Sequence, residues 1–453
     1  MRQQRPGRRS GKAWGFALLV ACGDDATRLG QTPLEEMPAP AAPAWAPSTE
    51  AAVVFDEDQV LTYELEMGAA EWENLKAHAR DEQYQAATLS VDGVPVGEVG
   101  LRFKGAIGTL RRCTSGSGSL TCPKASMKIK FDEYEPSRRF HGLKRLNFHS
   151  IFEPSHMHER LGYRMFREMG VVAPRTAHAW LVMNGEPLGL FASVENIDGR
   201  FTDTHFEKGN GNLYKEQWPG AVDPSRLTLE SNEEAPDHGA MIQLINELAT
   251  AEAEQLPDIV ASYLDIDQLF SYVAVDRAIQ NSDGITAFYC NNGGCRNHNN
   301  FLYQHEDEAR FTLIPWDLDG TFAASNSFEY VPSLLVIPEN CSIRYRVYGD
   351  LRVLAPGCDP LLQGLARSDL ELYRAQQTRL LEGPFHIERL EAWVDATEAQ
   401  LTPYVTNDRN GPGLDRFRTA VADCGETSAC SLCASARNVT GRMLEASAWT
   451  SRH

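Results

Sequence analysis

Positive charge is scarce in this sequence. Among 453 residues, 43 Lys and Arg face 62 Asp and Glu, for a formal net charge of −19. A general nucleic-acid binder is excluded, because such proteins draw their affinity from a basic surface. Basic partners and cations are what an acidic surface attracts. Long hydrophobic runs are missing as well. The apolar stretch at 13–21 falls well short of the ~20 residues that a permanent transmembrane helix needs. No internal repeat is visible, which sets repeat architectures aside. "CSLC" (430–433) is half of a zinc site at most, since no second Cys pair has suitable spacing. What is there is an ordinary globular composition, 42% hydrophobic and 9% aromatic. It can fill the core of one large domain or two ordinary ones.

The N-terminus carries Arg2, Arg5, Arg8, Arg9 and Lys12, then the apolar stretch, then Cys22. A basic flank, a short apolar segment and the junction "LVAC" (19–22) read as a bacterial lipoprotein signal peptide. Residues 1–21 are expected to be removed, with Cys22 as the lipidated first residue and membrane anchor. An ordinary signal peptide cut nearby is the alternative. Residues 22–50, including "EEMPAPAAPAWAP", have the composition of an extended tether. The folded domain is expected over 51–450, at the cell envelope or surface. Export places the remaining cysteines in an oxidising compartment, where near neighbours pair. The expected bridges are Cys113–Cys122, Cys290–Cys295 and Cys341–Cys358, with one more among Cys424, Cys430 and Cys433.

Two hairpins stand out. "ATLSVDGVPVGEVGLRFKG" (87–105) and "AWLVMNGEPLGLFASVE" (179–195) alternate apolar and polar residues around Asp92-Gly93 and Asn184-Gly185, dipeptides that suit tight turns with positive φ. "KASMKIKFDEY" (124–134) is a further strand. A helix follows, with Ser155 placed to cap it, Met157, Leu161, Met165 and Met169 as a core-packing stripe, and Gly170 at its end. His156 and His158 read as surface residues. Beyond these the pattern turns helical, over 238–255, over 265–281 with Asp267 as a cap, and within 361–405. A strand-rich front and a mainly helical back make an α+β arrangement, one that allows two lobes with a cleft.

The stretch "RFTLIPWDLDGTF" (310–322) runs a buried strand, stopped by Pro315, into Asp317 and Asp319. Asp and Gly are ordinary turn residues, so a turn is one reading and a cation site serving a phosphate is the other. Upstream lie Asp283, just past the 265–281 helix, and Asn299 and Asn300 on the lip of the strand "NNFLY". An acid, an amide, a hairpin and a second acid form the set that phosphoryl transfer to a hydroxyl requires. One carboxylate takes the hydroxyl proton; an amide oxygen and the other carboxylate hold Mg²⁺ on the phosphates. "HRD" and "DFG", the usual signatures of protein kinases, are absent. Paired carboxylates would equally suit a hydrolase, whose geometry depends on their separation.

"FDEYEPSRRFHGLKRLNFHSIFEPSHMHERLGYRMFREMGVVAPR", "LVMNGEPLGLFASVENID", "GNLYK" and "NNFLYQ…FTLIPWDLDGTF" occur in one order. From about residue 52 to about 405 the chain resembles the spore coat protein H (CotH) kinase family. The resemblance implies a two-lobed, atypical protein-kinase-like fold. It also implies an ATP-dependent kinase using Mg²⁺ or Mn²⁺ that phosphorylates Ser/Thr of secreted or surface proteins, with a Ser-rich, basic protein as the expected partner. Asp283 matches the family's catalytic aspartate, Asp317 the metal-binding aspartate, and Asn299 the metal-binding asparagine, with Asn300 as the close alternative. Asp319 matches a second acid. Gly105 falls in the glycine-containing loop, and Lys124 matches a lysine expected to contact the α/β-phosphates, with Glu159 as its acidic counterpart. Glu195 and Lys215 match positions expected to line the nucleotide cleft. Two departures stand out: 16 residues separate Asp283 from Asn299, enough for a stapled loop or for a displaced metal ligand, and "RRCTSGSGSLTC" (111–122) intervenes before Lys124. A non-catalytic adhesion or coat scaffold protein of the same fold is the alternative function.

Overall fold

The computed structural model describes residues 48–421, apart from 106–109, 152, 235, 292–293, 323–330 and 349. The expected signal peptide, Cys22, nearly all of the tether and the last three cysteines lie outside the described residues.

Seven strands close into a barrel: β1 (Val60–Glu66), β2 (Gln85–Val91), β3 (Val94–Phe103), β4 (Met127–Lys130), β5 (Arg145–Ser150), β6 (Thr176–Met183) and β7 (Glu186–Glu195). Their order around the wall is β1-β2-β3-β4-β5-β7-β6. Neighbours pair antiparallel except at the seam, where β1 runs parallel to β6 with Val60 opposite His178. Both expected hairpins form. Asp92 and Gly93 sit at φ 47° and 75°, Asn184 and Gly185 at 51° and 79°, the pair of positive angles that a two-residue hairpin loop needs. Period-two alternation decides what each strand does. Leu101 and Phe103, Met127 and Ile129, Leu146 and Phe148 fill the interior at no more than 2% exposure. The residues between them, Arg102, Lys128, Lys130, Arg145 and His149, turn to the other face.

Helix α1 (Ala69–Ala77) lies between β1 and β2, and α2 (His158–Glu168) between β5 and β6. The methionine stripe of α2 is core, as expected: Met157, Leu161, Met165 and Met169 are all buried. Gly170, at φ 76°, ends the helix. The cap differs from expectation. Met157 occupies the N-cap position without a side-chain bond, and the Glu153 carboxylate accepts from the His158 amide at 3.2 Å. A longer acid two residues before Ser155 reaches the exposed amide that Ser155 was expected to take. His156 and His158 are buried rather than on the surface, because His156 packs against Phe417 and His158 against Phe322.

The second half is mainly helical. It holds α3 (Gly199–His205), β8 (Asn212–Lys215), α4 (Gly239–Thr250), α5 (Leu256–Tyr263) and α6 (Ile266–Ala278). Asp265, not Asp267, caps α6, accepting from the amides of Asp267 and Gln268. Then come β9 (Phe288–Asn291), β10 (Gly294–Arg296), β11 (Asn300–Gln304), β12 (Phe311–Pro315), β13 (Tyr345–Tyr348) and β14 (Leu351–Leu354). They make two small sheets, β12-β11-β8 and β10-β9-β14-β13. Pro315 ends β12 from within; β12 is an edge strand, where a missing N–H is tolerated. Helices α7 (Pro360–Ala366), α8 (Leu370–Glu382), α9 (Ile387–Asn407) and α10 (Leu414–Val421) complete the described chain. Two large apolar cores result among the described residues, one inside the barrel and one that α2 shares with the helical part, with a small third cluster at Val331, Val347 and Val353. The architecture is α+β. Cys113–Cys122, Cys290–Cys295 and Cys341–Cys358 are bonded, the three near-neighbour pairs that spacing predicts.

Candidate functional site

The outward face of β3, β4 and β5 forms one wall of a cavity of about 500 Å³. That wall is basic: Arg102, Lys104, Lys128, Lys130 and Arg145 line it, and Lys215 at the end of β8 joins them. Asn299, Trp316, Asp317 and Asp319 from the second half line it too.

Lys104, one residue beyond β3, organises the meeting point. Its ammonium lies 2.6 Å from Nε2 of His149 on β5, and Nδ1 of His149 lies 2.9 Å from both carboxylate oxygens of Glu159 on α2. An ammonium can only donate. Nε2 therefore accepts, the ring proton sits on Nδ1, and His149 bridges the lysine to the glutamate as a neutral imidazole. Burial, then the Lys104 charge, holds the His149 pKa well below its ordinary value. Burial lowers Lys104 to about 8, with Asp317 and Glu159 opposing the shift. Burial, then Asp317, raises Glu159 well above the carboxylate range. The Lys104 ammonium also stands 5.2 Å above the Trp316 ring, a cation–π contact that gives the tryptophan before Asp317 a role.

Hairpin β11–β12 sets the opposite wall. Asn300 pairs with Pro315, so Asn299 and Trp316 face one another just past the ladder, and the Trp316 amide donates to the Asn299 carbonyl at 3.1 Å. Asn299 and Asp317 both adopt left-handed backbone, at φ 56° and 55°. Such angles are uncommon outside glycine and concentrate at functional sites. The Tyr163 hydroxyl of α2 accepts from the Asp317 amide at 2.9 Å and fixes that turn. His149, Glu159 and Asp317 each offer a ligand atom within 4.8 Å of the others. Burial, then Asp317, Glu159 and Asp283, push the Asp319 carboxyl well above its usual range.

The 16-residue departure turns out to preserve a contact. The intervening chain folds into the β9–β10 hairpin, stapled by Cys290–Cys295, and the Asn299 Nδ2 donates to Asp283 Oδ2 at 2.9 Å. That bond leaves the amide oxygen of Asn299 as the end available to a cation. Asp283 is exposed but sits in crowded surroundings, and desolvation pushes its carboxyl up to about 6. Its loop hangs from Asp276 on α6, whose buried carboxylate accepts from Asn281 at 2.9 Å and Thr286 at 3.1 Å.

Asn299, Asp317, Asp319, Gly105 and Lys215 line the cavity, while Asp283 and Glu159 stand just behind its lining, bonded to Asn299 and His149. The structure does not bring Lys124, Glu195 or Asn300 there. Lys124 is buried outside the cavity, bonded to the Leu190 carbonyl and to Asp408 at 3.0 Å. Its strand has not yet begun, so it lies off the row that β4 turns to the cavity. Glu195 is 1% exposed beneath Arg175 and His205. Burial would raise its carboxyl, but His205 and Arg175 outweigh that and hold it at about 2. Asn300 is inside the ladder, donating to the His298 carbonyl. The sequence reading missed Lys104, Lys128 and His149. Their signal was present in "LRFK", "MKIK" and "RLNFH", where alternate residues of three neighbouring strands are basic or polar.

A family model described as "CotH kinase protein" matches residues 101–414. A curated relative, "Inner spore coat protein H" of Bacillus subtilis (strain 168), is 24% identical over 212 residues, which cover 44% of this chain and 55% of the relative. The match therefore spans about half of that relative's length. No helix among the described residues is long and apolar enough to cross a membrane.

Proposed function

Because the chain belongs to the CotH kinase protein family, we propose that it is an exported, ATP-dependent protein kinase acting on Ser or Thr of secreted or surface proteins. In this reading the barrel and the helical part are the two lobes of an atypical kinase-like fold, and the cavity takes the nucleotide. The observation that carries it is the Asp283–Asn299 hydrogen bond beside Asp317, facing the Lys104–His149–Glu159 chain across one cavity.

Asp283 is the base: its carboxylate takes the proton as the acceptor hydroxyl oxygen bonds to the γ-phosphorus, and the bond to the β–γ bridging oxygen breaks to release ADP. Asp317, Asp319 and the Asn299 oxygen form a hard, oxygen-rich donor set of the kind Mg²⁺ or Mn²⁺ prefers. Crowding of acids around a half-buried Asp319 is what a cation there would relieve. Bound metal would supply charge neutralisation on the phosphates. Lys104 replaces Lys124 as the phosphate partner. Protein kinases pair such a lysine with glutamate directly; here His149 stands between them and positions both. A Ser-rich basic substrate matches the net charge of −19, and an envelope or coat location, with Cys22 as lipid anchor, matches the N-terminal sequence and the relative's name.

Incubating the protein with labelled ATP, Mg²⁺ or Mn²⁺ and a Ser-rich basic peptide tests the proposal. Incorporation by the parent that Asp283→Asn and Asp317→Asn each abolish supports it. An inert parent that also shows no Mg²⁺-dependent ATP binding refutes it and leaves a coat or adhesion scaffold as the better reading.

A further inference from the structure

Of the six cations that line the cavity, four have hydrogen-bonded or ion-pair partners, while Lys128 and Lys215 have neither among the described residues. Arg102 pairs with Glu82, Lys130 with Glu133 at 2.7 Å, Arg145 with Asp198 at 3.2 Å, and Lys104 with His149 at 2.6 Å. Lys128 lies among them, opposite Arg102 on one neighbouring strand and Asn147 on the other. It lines the cavity and has no hydrogen bond or ion pair among the described residues. It is only partly exposed, and the charges that act on it most strongly are all positive: Lys104, Arg102, Arg145 and Lys215. Burial and these four cations lower its pKa to about 7. A row of cations with an uncompensated ammonium at its centre is the inverse image of an anion.

Register gives the spacing. The Lys104 amide bonds to the Ser126 carbonyl, so Lys104 is level with Ser126, and Lys128 is two residues further along β4, about 7 Å away. Both side chains turn to the same face. Two cations spaced in this way along one face are matched more fully by linked phosphates, one on each lysine, than by a single phosphate held beside Lys104 and the acids.

We infer that Lys128 centres a second anion subsite, which takes a phosphate linked to the one beside Lys104, so that the cavity selects a phosphate chain over a single phosphate. This rests on reading the cavity as the nucleotide site. An extended acidic peptide fits less well, because Glu82, Glu230 and Glu233 at the margin repel a polyanion that leaves the basic row.

Calorimetric titration of the full chain with inorganic phosphate, tripolyphosphate, O-phosphoserine and ATP, each with Mg²⁺, tests it on the parent, Lys128→Met and Lys128→Arg. Tripolyphosphate and ATP should bind the parent at least tenfold tighter than phosphate. Lys128→Met should weaken both by at least about tenfold, the loss expected for one charged hydrogen bond, and Lys128→Arg should restore most of it. Phosphate binding should stay within about twofold throughout. Equal tripolyphosphate affinity in parent and Lys128→Met overturns the inference, as does phosphate or O-phosphoserine binding as tightly as tripolyphosphate. The two readings separate cleanly. Lys128-dependent tripolyphosphate binding without any phosphoryl transfer sinks the kinase and keeps the subsite. Transfer with an unchanged KM for ATP in Lys128→Met keeps the kinase and sinks the subsite.

Discussion

Replacing Lys124 by methionine should cost stability and leave nucleotide binding intact. The ammonium and its partner are both sequestered, with 6% and 1% of the Lys124 and Asp408 side chains exposed. Methionine keeps the stem but leaves the Asp408 charge buried without its counter-ion. Breaking one side of such a pair costs about 3–5 kcal/mol. Asp408 Oδ2 still accepts from the Leu190 amide at 2.9 Å and Oδ1 from the Asn410 amide at 2.9 Å, which favours the low end, about 3 kcal/mol. Large domains lose about 2–4 °C per kcal/mol, so the melting midpoint should fall by roughly 6–12 °C. Adding Asp408→Asn should recover part of the loss, because the stranded charge goes with it. Differential scanning calorimetry reads the midpoint, and Mg²⁺–ATP titration well below it reads the site. Lys104→Met is the contrast, with little change in melting and a loss of at least about tenfold in ATP affinity. A Lys124→Met protein that melts with the parent yet no longer binds ATP would refute the placement of the two lysines.

Gly284→Ala puts a methyl group against the buried Asp276 carboxylate and Asn281 amide, displacing the Asp283 loop; phosphate transfer should fall about a hundredfold, and this overpacking should lower the melting midpoint by about 2–12 °C. Asn299→Asp sets a carboxylate where a donor now faces Asp283, and like charge raises a carboxyl pKa; the acidic limb of the pH–rate profile should move above the value near 6 set by Asp283, and an unmoved limb argues against Asp283 as base. Glu195 titrates near 2 in the folded protein, below its ordinary value of 4.5. Its contribution, about 3 kcal/mol, is thus present above pH ~4.5 and lost as pH falls toward 2. The stability gap between parent and Glu195→Gln, read by urea denaturation, should narrow across that window.

Local chemistry made much of this fold readable. The dipeptides Asp92-Gly93 and Asn184-Gly185 dictate their own turns, the Met157–Met169 stripe dictates which face of α2 is buried, and short cysteine spacings dictate three bridges. Competition between near-equal local partners was not readable. Glu153 and Ser155 both reach the start of α2, and only the bend before the helix selects the acid. The lysines show the same limit in a functional form. Lys124, Lys128 and Lys130 sit within seven residues, and which of them meets a ligand depends on where β4 begins and on its register with β3. The 16-residue gap before Asn299 looked disruptive in one dimension because a stapled hairpin returns the chain to its starting point only in three. The seam between β1 and β6 had no local signal at all, as it joins segments more than a hundred residues apart.

That seam sets the limits of any useful fragment. A chain started at Leu101, inside β3, would lack β1, β2 and most of β3, and the wall would open at β4 and at β6 together. Each would present a row of unpaired N–H and C=O groups, and exposed strand edges of this kind recruit other chains. Such a fragment would retain Asp283, Asn299 and Asp317 yet is expected to precipitate or to pair with itself on expression. A protein begun ahead of Val60 has no open edge in its barrel and should remain monodisperse.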